Sequence, residues 1–196
     1  MQIIQWSTRG SRWGALLWLC VGLGMGQGAY AANAKAIPES TIKEGDRPLQ
    51  RIHLPDMLGW QADYNLNEDV WTLKNTDMKP RKGSYATATI FLQRLGSVLP
   101  REPKALAQAL TEAGAIESGM RLTQIDKIEA VPNGFVIRGQ EQSDFDPSAK
   151  PYPSFIMVRH LQGLNLMCRQ GNASDLEDAE GLVNVGMALC QKLTLD

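Results

Sequence analysis

The sequence predicts an α+β fold in which an antiparallel β-sheet carries helices packed on its faces. Short β-prone runs separated by turn-forming residues fill most of the chain from residue 52 onward. One apolar helical stripe follows Pro103, and a second runs from Leu176 to Leu193. Because tight turns link several of the runs, consecutive strands should pair in antiparallel fashion.

Residues 1–31 have the three parts of a secretory signal peptide. Arg9 and Arg12 form a positive n-region, and residues 13–25 carry no charge. Ala29-Tyr30-Ala31 matches the small-x-small pattern that precedes signal-peptidase cleavage. An uncleaved membrane anchor is the alternative, although the glycine-rich second half of the segment is poorly suited to span a bilayer. The mature protein is therefore expected to be periplasmic or secreted from a bacterium.

The rest of the chain divides into a short lead-in and one domain. Residues 32–50 lack apolar periodicity, which is typical of a flexible segment. Residues 51–196 are long enough for a single domain with its own core. The net charge of the chain is −1, which predicts no basic surface for nucleic acid and no polybasic membrane patch. After signal cleavage we expect no stable membrane insertion.

The first half of the domain is predicted to contain three strands and a helix. Residues 60–64 and 70–74 are β-prone runs on either side of a turn-forming cluster. A third strand is predicted over residues 85–92, after the turn signal Lys82-Gly83-Ser84. Pro103 suits the first turn of a helix, whose apolar stripe runs from residue 105 to 113 and which Gly114 should end.

Two hairpins are predicted in the second half of the domain. Residues 125–131 and 135–140 flank Pro132-Asn133-Gly134, a strong turn signal. Residues 155–161 and 164–169 flank Gln162-Gly163. A two-residue turn there gives the cross-strand pairs Leu161 with Leu164, Arg159 with Leu166, and Met157 with Cys168.

The last element is predicted to be a helix that begins within two residues of Ser174. The segment Ser174-Asp175-Leu176-Glu177 is a capping box, in which the Ser and Glu side chains satisfy backbone amides reciprocally. Apolar residues then recur at steps of three and four: Leu176, Ala179, Val183, Gly186, Cys190 and Leu193.

Cys168 and Cys190 are predicted to form a disulfide. Cys20 leaves with the signal peptide, and two cysteines in an oxidising compartment favour a bond. Cys168 lies on the apolar face of its hairpin and Cys190 on the apolar stripe of the last helix, so packing that helix on that face joins the sulfurs. Two free buried thiols are the alternative.

The element order is three strands, a helix, two hairpins and a final helix. Leu54-Pro55 and Gly59-Trp60 stand at its start, and the segment DAEGLVNVGMALCQKL closes it. Over residues 52–195 this order resembles the PsbP-like fold, which small exported bacterial proteins of the DcrB type share. The resemblance implies an antiparallel sheet with helices on both sides. Members of the fold mostly act as accessory or binding proteins, so the resemblance transfers no enzymatic activity.

No constellation of residues predicts catalysis, so we expect a non-enzymatic protein without a cofactor. The only histidines are His53 and His160, and no Ser/His/Asp or Cys/His signature accompanies them. No glycine-rich phosphate loop occurs outside the signal peptide.

Two metal-site hypotheses are weaker than their structural alternatives. The soft ligands Met157, His160, Met167 and Cys168 share one hairpin and would suit Cu(I). Strand alternation, however, places Met157 and Cys168 on one face and the other two on the opposite face. Acidic residues that could bind Ca²⁺ are Asp144, Asp146, Asp175, Glu177, Asp178 and Glu180. They lack a calcium-loop spacing, and an acidic first helical turn complements the helix dipole.

Residues 143–153 form the candidate partner-binding loop. Its sequence, SDFDPSAKPYP, combines prolines and charges with Phe145 and Tyr152, and exposed aromatic residues on a rigid scaffold are typical of binding loops. The alternative is that both rings pack back onto the sheet. The sequence thus favours an exported accessory protein that binds another protein or an envelope component. A periplasmic protein that binds a small molecule or a metal ion is the alternative.

Overall fold

The structure is a computed structural model, and it describes residues 47–97, 99–112, 120–143 and 148–196. The expected signal peptide, residues 32–46 of the expected lead-in, Gly114 and Phe145 lie outside these ranges. Cleavage after Ala31 therefore stays a prediction.

The described residues form nine strands, two α-helices and one 3-10 turn. The strands are β1 (Ile52–His53), β2 (Trp60–Asn65), β3 (Val70–Asn75), β4 (Ala88–Arg94), β5 (Met120–Val131), β6 (Gly134–Ser143), β7 (Tyr152–Leu161), β8 (Leu164–Gln170) and β9 (Thr194–Leu195). Helix α1 (Pro103–Glu112) lies between β4 and β5, and α2 (Ala179–Lys192) lies between β8 and β9. The 3-10 turn at Pro48–Arg51 precedes β1.

Seven strands form one sheet in the order β2-β3-β4-β8-β7-β6-β5. Every neighbouring pair is antiparallel, so the predicted antiparallel α+β class is confirmed. The centre of the sheet joins two blocks that are far apart in sequence, since β4 pairs with β8 and Ile90 faces Gln170.

The β7–β8 hairpin has the predicted register. Gln162 and Gly163 form its two-residue turn, and both have positive φ (44° and 87°), as a type I′ turn requires. The strands pair Leu161 with Leu164, Arg159 with Leu166, and Met157 with Cys168. The β5–β6 hairpin is also present, but its strands extend from Met120 to Ser143, beyond the predicted limits.

The two helices cover opposite faces of the sheet. One core contains Phe155, Met157, Leu166 and Cys168 of the sheet with Leu182, Val183 and Leu189 of α2. The other contains Ile156, Val158 and Met167 with Leu106 and Leu110 of α1. Helix α2 approaches the sheet closely at Gly186, where a Cβ atom would lie 2.6 Å from Phe155 Cε1 and 2.7 Å from Ile90 Cδ1.

A buried arginine caps the C-terminus of α2. Arg159 lies on the α2-facing side of β7, and its Nη1 donates to the carbonyls of Cys190 (2.9 Å), Gln191 (2.7 Å) and Leu193 (3.2 Å). These carbonyls have no partner within the helix, and a cation also complements the negative end of the helix dipole. Desolvation lowers the pKa of Arg159, so the contacts with the helix end compensate for its burial.

The predicted start of α2 at Ser174 is wrong, because the helix begins at Ala179. Asp178 is the N-cap, and its carboxylate accepts a hydrogen bond from Gly181 N at 2.7 Å. The segment before it is held by the β3–β4 connection instead: Arg81 N donates to Asp175 O (2.7 Å) and Arg81 Nε to Leu176 O (3.1 Å). These tertiary bonds keep the expected capping box out of the helix.

A two-stranded ribbon that sequence analysis missed joins the two ends of the described chain. Its strands pair Ile52 with Leu195 and His53 with Thr194. Just before it, Leu49 is fully buried, and its carbonyl accepts a hydrogen bond from Trp71 Nε1 at 2.7 Å. Pro48 and Leu49 are thus buried just before residue 51, the expected start of the domain.

Candidate functional site

Cys168 and Cys190 form the predicted disulfide. Their α-carbons are 6.3 Å apart, within the range that a disulfide spans. Both residues are fully buried between α2 and the sheet. Neither sulfur is placed to react with a substrate, so the bond is a structural crosslink between β8 and α2.

The expected exposed ring at residue 152 is not found. Tyr152 lies in β7, and only 3 % of its surface is exposed. Its ring packs in the core that α2 covers, and its hydroxyl donates to Glu141 Oε2 at 3.4 Å. The alternative, a ring packed onto the sheet, holds for Tyr152, whereas Phe145 lies outside the described residues.

Two other large apolar side chains are fully exposed at one end of the sheet. Leu58 is 100 % and Tyr85 99 % exposed. The register of the sheet aligns Trp60, the first residue of β2, with Asn75 of β3 and with Ala88, the first residue of β4. Leu58 and Tyr85 precede β2 and β4, so both lie in connections at the same end of the sheet. The strands that these connections enter, β2 and β4, are about 10 Å apart. Tyr85 was predicted to begin a strand, but β4 starts at Ala88.

Backbone hydrogen bonds hold both connections in place. Trp60 N donates to Met57 O (3.2 Å) around Gly59, whose φ is 80°. Ser84 N donates to Arg81 O (2.9 Å) around Gly83, whose φ is 89°. A positive φ at the third residue is typical of a type II turn and favours glycine. Leu58 occupies the second position of the first turn, and Tyr85 follows the second turn directly.

Ala86, the residue after Tyr85, is among the residues that line a cleft of about 360 Å³. It lies between the start of β4 and the segment after β8, and its lining includes Thr87, Thr89, Phe91, Asn172 and Asp175. The Arg169 guanidinium stands 4.8 Å from the centre of the Phe91 ring. We call Leu58, Tyr85 and this cleft the loop-end surface.

A buried carboxyl group lies at the same end of the sheet. Glu141 of β6 is 4 % exposed. Burial raises its pKa to about 7, against the opposing effects of Ser154, Arg169 and Tyr152. A carboxyl group that titrates near neutral pH is a feature of many active sites. Here, however, Glu141 lies among buried side chains and does not line the cleft.

A second cavity, of about 420 Å³, lies at the opposite end of the sheet. Arg94 at the end of β4, Arg101 before α1, and Leu164 and Asn165 at the start of β8 line it, together with residues 95–97. None of the described residues that line it is acidic. We call it the arginine cavity.

The two histidines lie on different elements, His53 in β1 and His160 in β7. His53 is exposed in the β1–β9 ribbon. His160 Nδ1 is 3.2 Å from Asn165 Oδ1. Neither histidine is among the residues that line the loop-end cleft or the arginine cavity.

The hairpin residues considered for Cu(I) do not converge. Met157 and Cys168 pack on the side of α2, whereas Met167 packs on the side of α1. Within the described ranges, no group of three His, Cys, Asp or Glu side chains is placed to hold a metal ion. Asp178, one of the acidic residues considered for Ca²⁺, is used as the N-cap of α2, and Asp144 and Asp146 lie outside the described residues.

Sequence reasoning did not single out Leu58, Tyr85, Arg94 or Arg101. Both exposed apolar residues stand next to turn signals, which is the one local pattern that could have identified them. Among the residues that the structure describes, no helix has the length and apolar character to cross a membrane. Neither the protein-family models nor the curated proteins compared with this sequence match it.

Proposed function

We propose that this chain is an exported, non-catalytic accessory protein that binds another protein through the loop-end surface. The observation that carries the proposal is the full exposure of Leu58 and Tyr85 on connections fixed by backbone hydrogen bonds. The signal-peptide pattern of residues 1–31 and the Cys168–Cys190 bond support export.

The energetics of burial favour this surface as a binding site. Moving a large apolar side chain from water into a protein interface contributes about 1.5–3 kcal/mol. Because the connections are already ordered, binding loses less conformational entropy than it would with mobile loops. Tyrosine adds a rigid ring with few rotatable bonds, which is why binding surfaces are rich in it.

The edges of the sheet are less suited to binding by strand addition. Edge strand β2 carries the exposed Asp63, and β5 carries Lys127 and Glu129, which form an ion pair at 2.7 Å. The pairing of β5 also has two irregularities. Charged side chains and bulges are the features by which edge strands avoid pairing with other chains.

We further propose that the fold belongs to the PsbP-like class. Support comes from the antiparallel sheet with one helix on each face and from the order of the elements. The mostly accessory roles in that class are consistent with a binding function.

Site-specific photocrosslinking in intact cells tests the protein-binding proposal. A photoreactive residue at position 58 or 85 should give a discrete protein adduct. The matched control is position 66, because Leu66 is 47 % exposed but lies in the β2–β3 turn at the opposite end of the sheet. No adduct is expected there.

Binding of the purified partner then measures the contribution of each side chain. Leu58→Ser and Tyr85→Ser should each weaken binding about tenfold or more, as for buried interface residues, and Leu66→Ser should not. Adducts of equal yield from all three positions, or none from positions 58 and 85, would contradict the proposal.

A small-molecule binding protein is the second candidate function. The arginine cavity is the observation that favours it. A metal-ion binding protein has no such support, because the hairpin ligands divide between two faces.

A further inference from the structure

Two side chains connect the buried carboxyl group of Glu141 to the cleft of the loop-end surface. The first is Tyr152, whose hydroxyl donates to Glu141 Oε2 at 3.4 Å and accepts a hydrogen bond from the backbone amide of Ala173. Ala173 is fully buried and lies between Asn172 and Ser174, which line the cleft. A change at the carboxyl group therefore reaches the cleft through one tyrosine.

The second connecting side chain is Arg169, which is 7 % exposed. Its positive charge attracts the Glu141 carboxylate. The same guanidinium stands 4.8 Å from the centre of the Phe91 ring, which lines the cleft. Because Phe91 and Arg169 are partners in the β4–β8 pairing, a movement of the guanidinium toward the carboxylate changes its contact with the ring.

The charge of Glu141 acts mainly on these two side chains. Among the described residues, the charged or titratable groups that face it are Tyr152 of β7 and Arg169 of β8. On β5, the residue paired with Glu141 is the apolar Leu122. Helix α1 packs against β5 and β6, and its Lys104 is exposed.

Ionisation of Glu141 strengthens both connections. Burial raises the pKa of Glu141 to about 7, so its carboxyl group is protonated below neutral pH and ionised above it. A carboxylate accepts hydrogen bonds and attracts a guanidinium more strongly than a neutral carboxyl group does. In the protein interior, a stronger bond from Tyr152 to Glu141 also makes the tyrosine oxygen a better acceptor for the Ala173 amide. The desolvation cost of the charge falls on the fold as a whole, whereas the stronger bonds act on residues 171–175.

We propose that Glu141 is a proton-controlled switch for the loop-end surface: its ionised form fixes residues 171–175 and the Phe91 ring through Tyr152 and Arg169, and its protonated form releases them. The proposal rests on the proposed function, because it regulates the same surface. A protein that binds this surface should bind more tightly at pH 8 than at pH 6, since an ordered cleft loses less conformational entropy on binding.

Hydrogen exchange and NMR of the purified protein test the switch without a partner. Between pH 6 and pH 8, the protection factor of the Ala173 amide against exchange by local opening should rise about fivefold or more. The amide signals of residues 171–175 should titrate with the same midpoint as the carboxyl carbon of Glu141. Glu141→Gln should remove both effects. Tyr152→Phe keeps the ring without the hydroxyl, so it should remove the rise at Ala173 while Glu141 still titrates.

The matched control is His160→Gln. Histidine titrates in the same pH range, and His160 lies in β7 but is not among the described residues that line the cleft. It should leave the rise at Ala173 unchanged. A rise that persists in Glu141→Gln or in Tyr152→Phe overturns the proposal, as does a Glu141 carboxyl carbon that titrates while the protection of Ala173 stays constant. Where Glu141→Gln does not fold, the result from Tyr152→Phe decides.

Photocrosslinking from position 85 at pH 6 and pH 8 then tests the effect on binding. A higher adduct yield at pH 8, lost in Tyr152→Phe, supports the switch. Equal yields at both pH values overturn it and leave the protein-binding proposal intact. Absence of an adduct at either pH contradicts the protein-binding proposal instead, and the exchange measurement on the free protein still decides whether Glu141 controls the cleft.

Discussion

Removing the Cys168–Cys190 bond should lower the free energy of unfolding by about 3–5 kcal/mol. The bond closes a loop with a sequence separation of 22, and the chain-entropy model gives about 3 kcal/mol for a loop of this length. Both sulfurs are fully buried under α2, so truncation to alanine adds a cost for lost packing. The double variant Cys168→Ala/Cys190→Ala combines the two effects.

A second double variant separates the crosslink from the packing. Cys168→Ala/Cys190→Val restores side-chain volume beneath α2 without restoring the bond, so it should recover the packing contribution only. Urea unfolding followed by circular dichroism gives the free energy of unfolding and its dependence on denaturant. That dependence should be steeper in both variants, because an unfolded chain without the crosslink exposes more surface.

The result that would refute this reasoning is specific. If the Ala/Val variant were as stable as the oxidised protein to within about 0.5 kcal/mol, the bond would contribute nothing through the unfolded chain. A denaturant dependence unchanged in both variants would lead to the same conclusion. Folded variants with lost partner binding would instead assign the cysteines a role in function.

Three further variants test the packing and electrostatics of the fold. The pKa of Glu141 is raised from 4.5 to about 7, so the folded state keeps a proton that the unfolded state loses as the pH rises between these values. Stability should therefore fall across this window by about 3 kcal/mol in the wild type relative to Glu141→Gln, as measured by urea unfolding at pH 4.5 and pH 8. Equal pH profiles of the wild type and Glu141→Gln would show that burial does not raise the pKa of Glu141. Arg159→Met should lower the free energy of unfolding by about 2–4 kcal/mol, because it leaves the α2 carbonyls without their donor. Its control, Arg138→Met, breaks a surface ion pair with Glu180 and should lower the free energy of unfolding by less than about 1 kcal/mol. Gly186→Ala should lower the free energy of unfolding by about 1–3 kcal/mol, because the added methyl group overpacks against Phe155. Gly96→Ala is the neutral control, since its added Cβ would meet no atom within 4 Å. A stabilised Gly186→Ala variant would show that α2 can move away from the sheet.

Local periodicity in the sequence predicted the β7–β8 register and the pairing of the two cysteines correctly. The two-residue turn at Gln162-Gly163 fixed which residues of β7 and β8 face each other, and the helical stripe placed Cys190 against Cys168. Both inferences depend on repeats of 2.0 and 3.6 residues, which the chain reveals without tertiary information. The position of Arg159 opposite Leu166, on an otherwise apolar face, was also a signal that this arginine has a buried partner.

Tertiary contacts explain the parts that sequence reasoning missed. Ser174 has a suitable capping sequence, but hydrogen bonds from Arg81, far away in the chain, hold its neighbours outside the helix. In the sequence, Tyr152 is flanked by prolines and charged residues. Composition of this kind does not distinguish an exposed aromatic ring from a buried one. The arginine cavity is lined by residues from the end of β4 and the start of β8. These segments are far apart in the sequence, so no local pattern predicts that they are neighbours.

The central β4–β8 pairing also determines the order in which this domain can assemble. The block β2–β3–β4 can form early as a local meander, but its inner edge has no partner until β8 has been synthesised. Helix α2 and strand β9, which complete the larger core and the ribbon with β1, follow later still. Pairings between such distant segments slow folding, because loop closure precedes the contacts that stabilise it. In a chain of this topology, the central sheet can therefore be completed only after most of the residues have been synthesised.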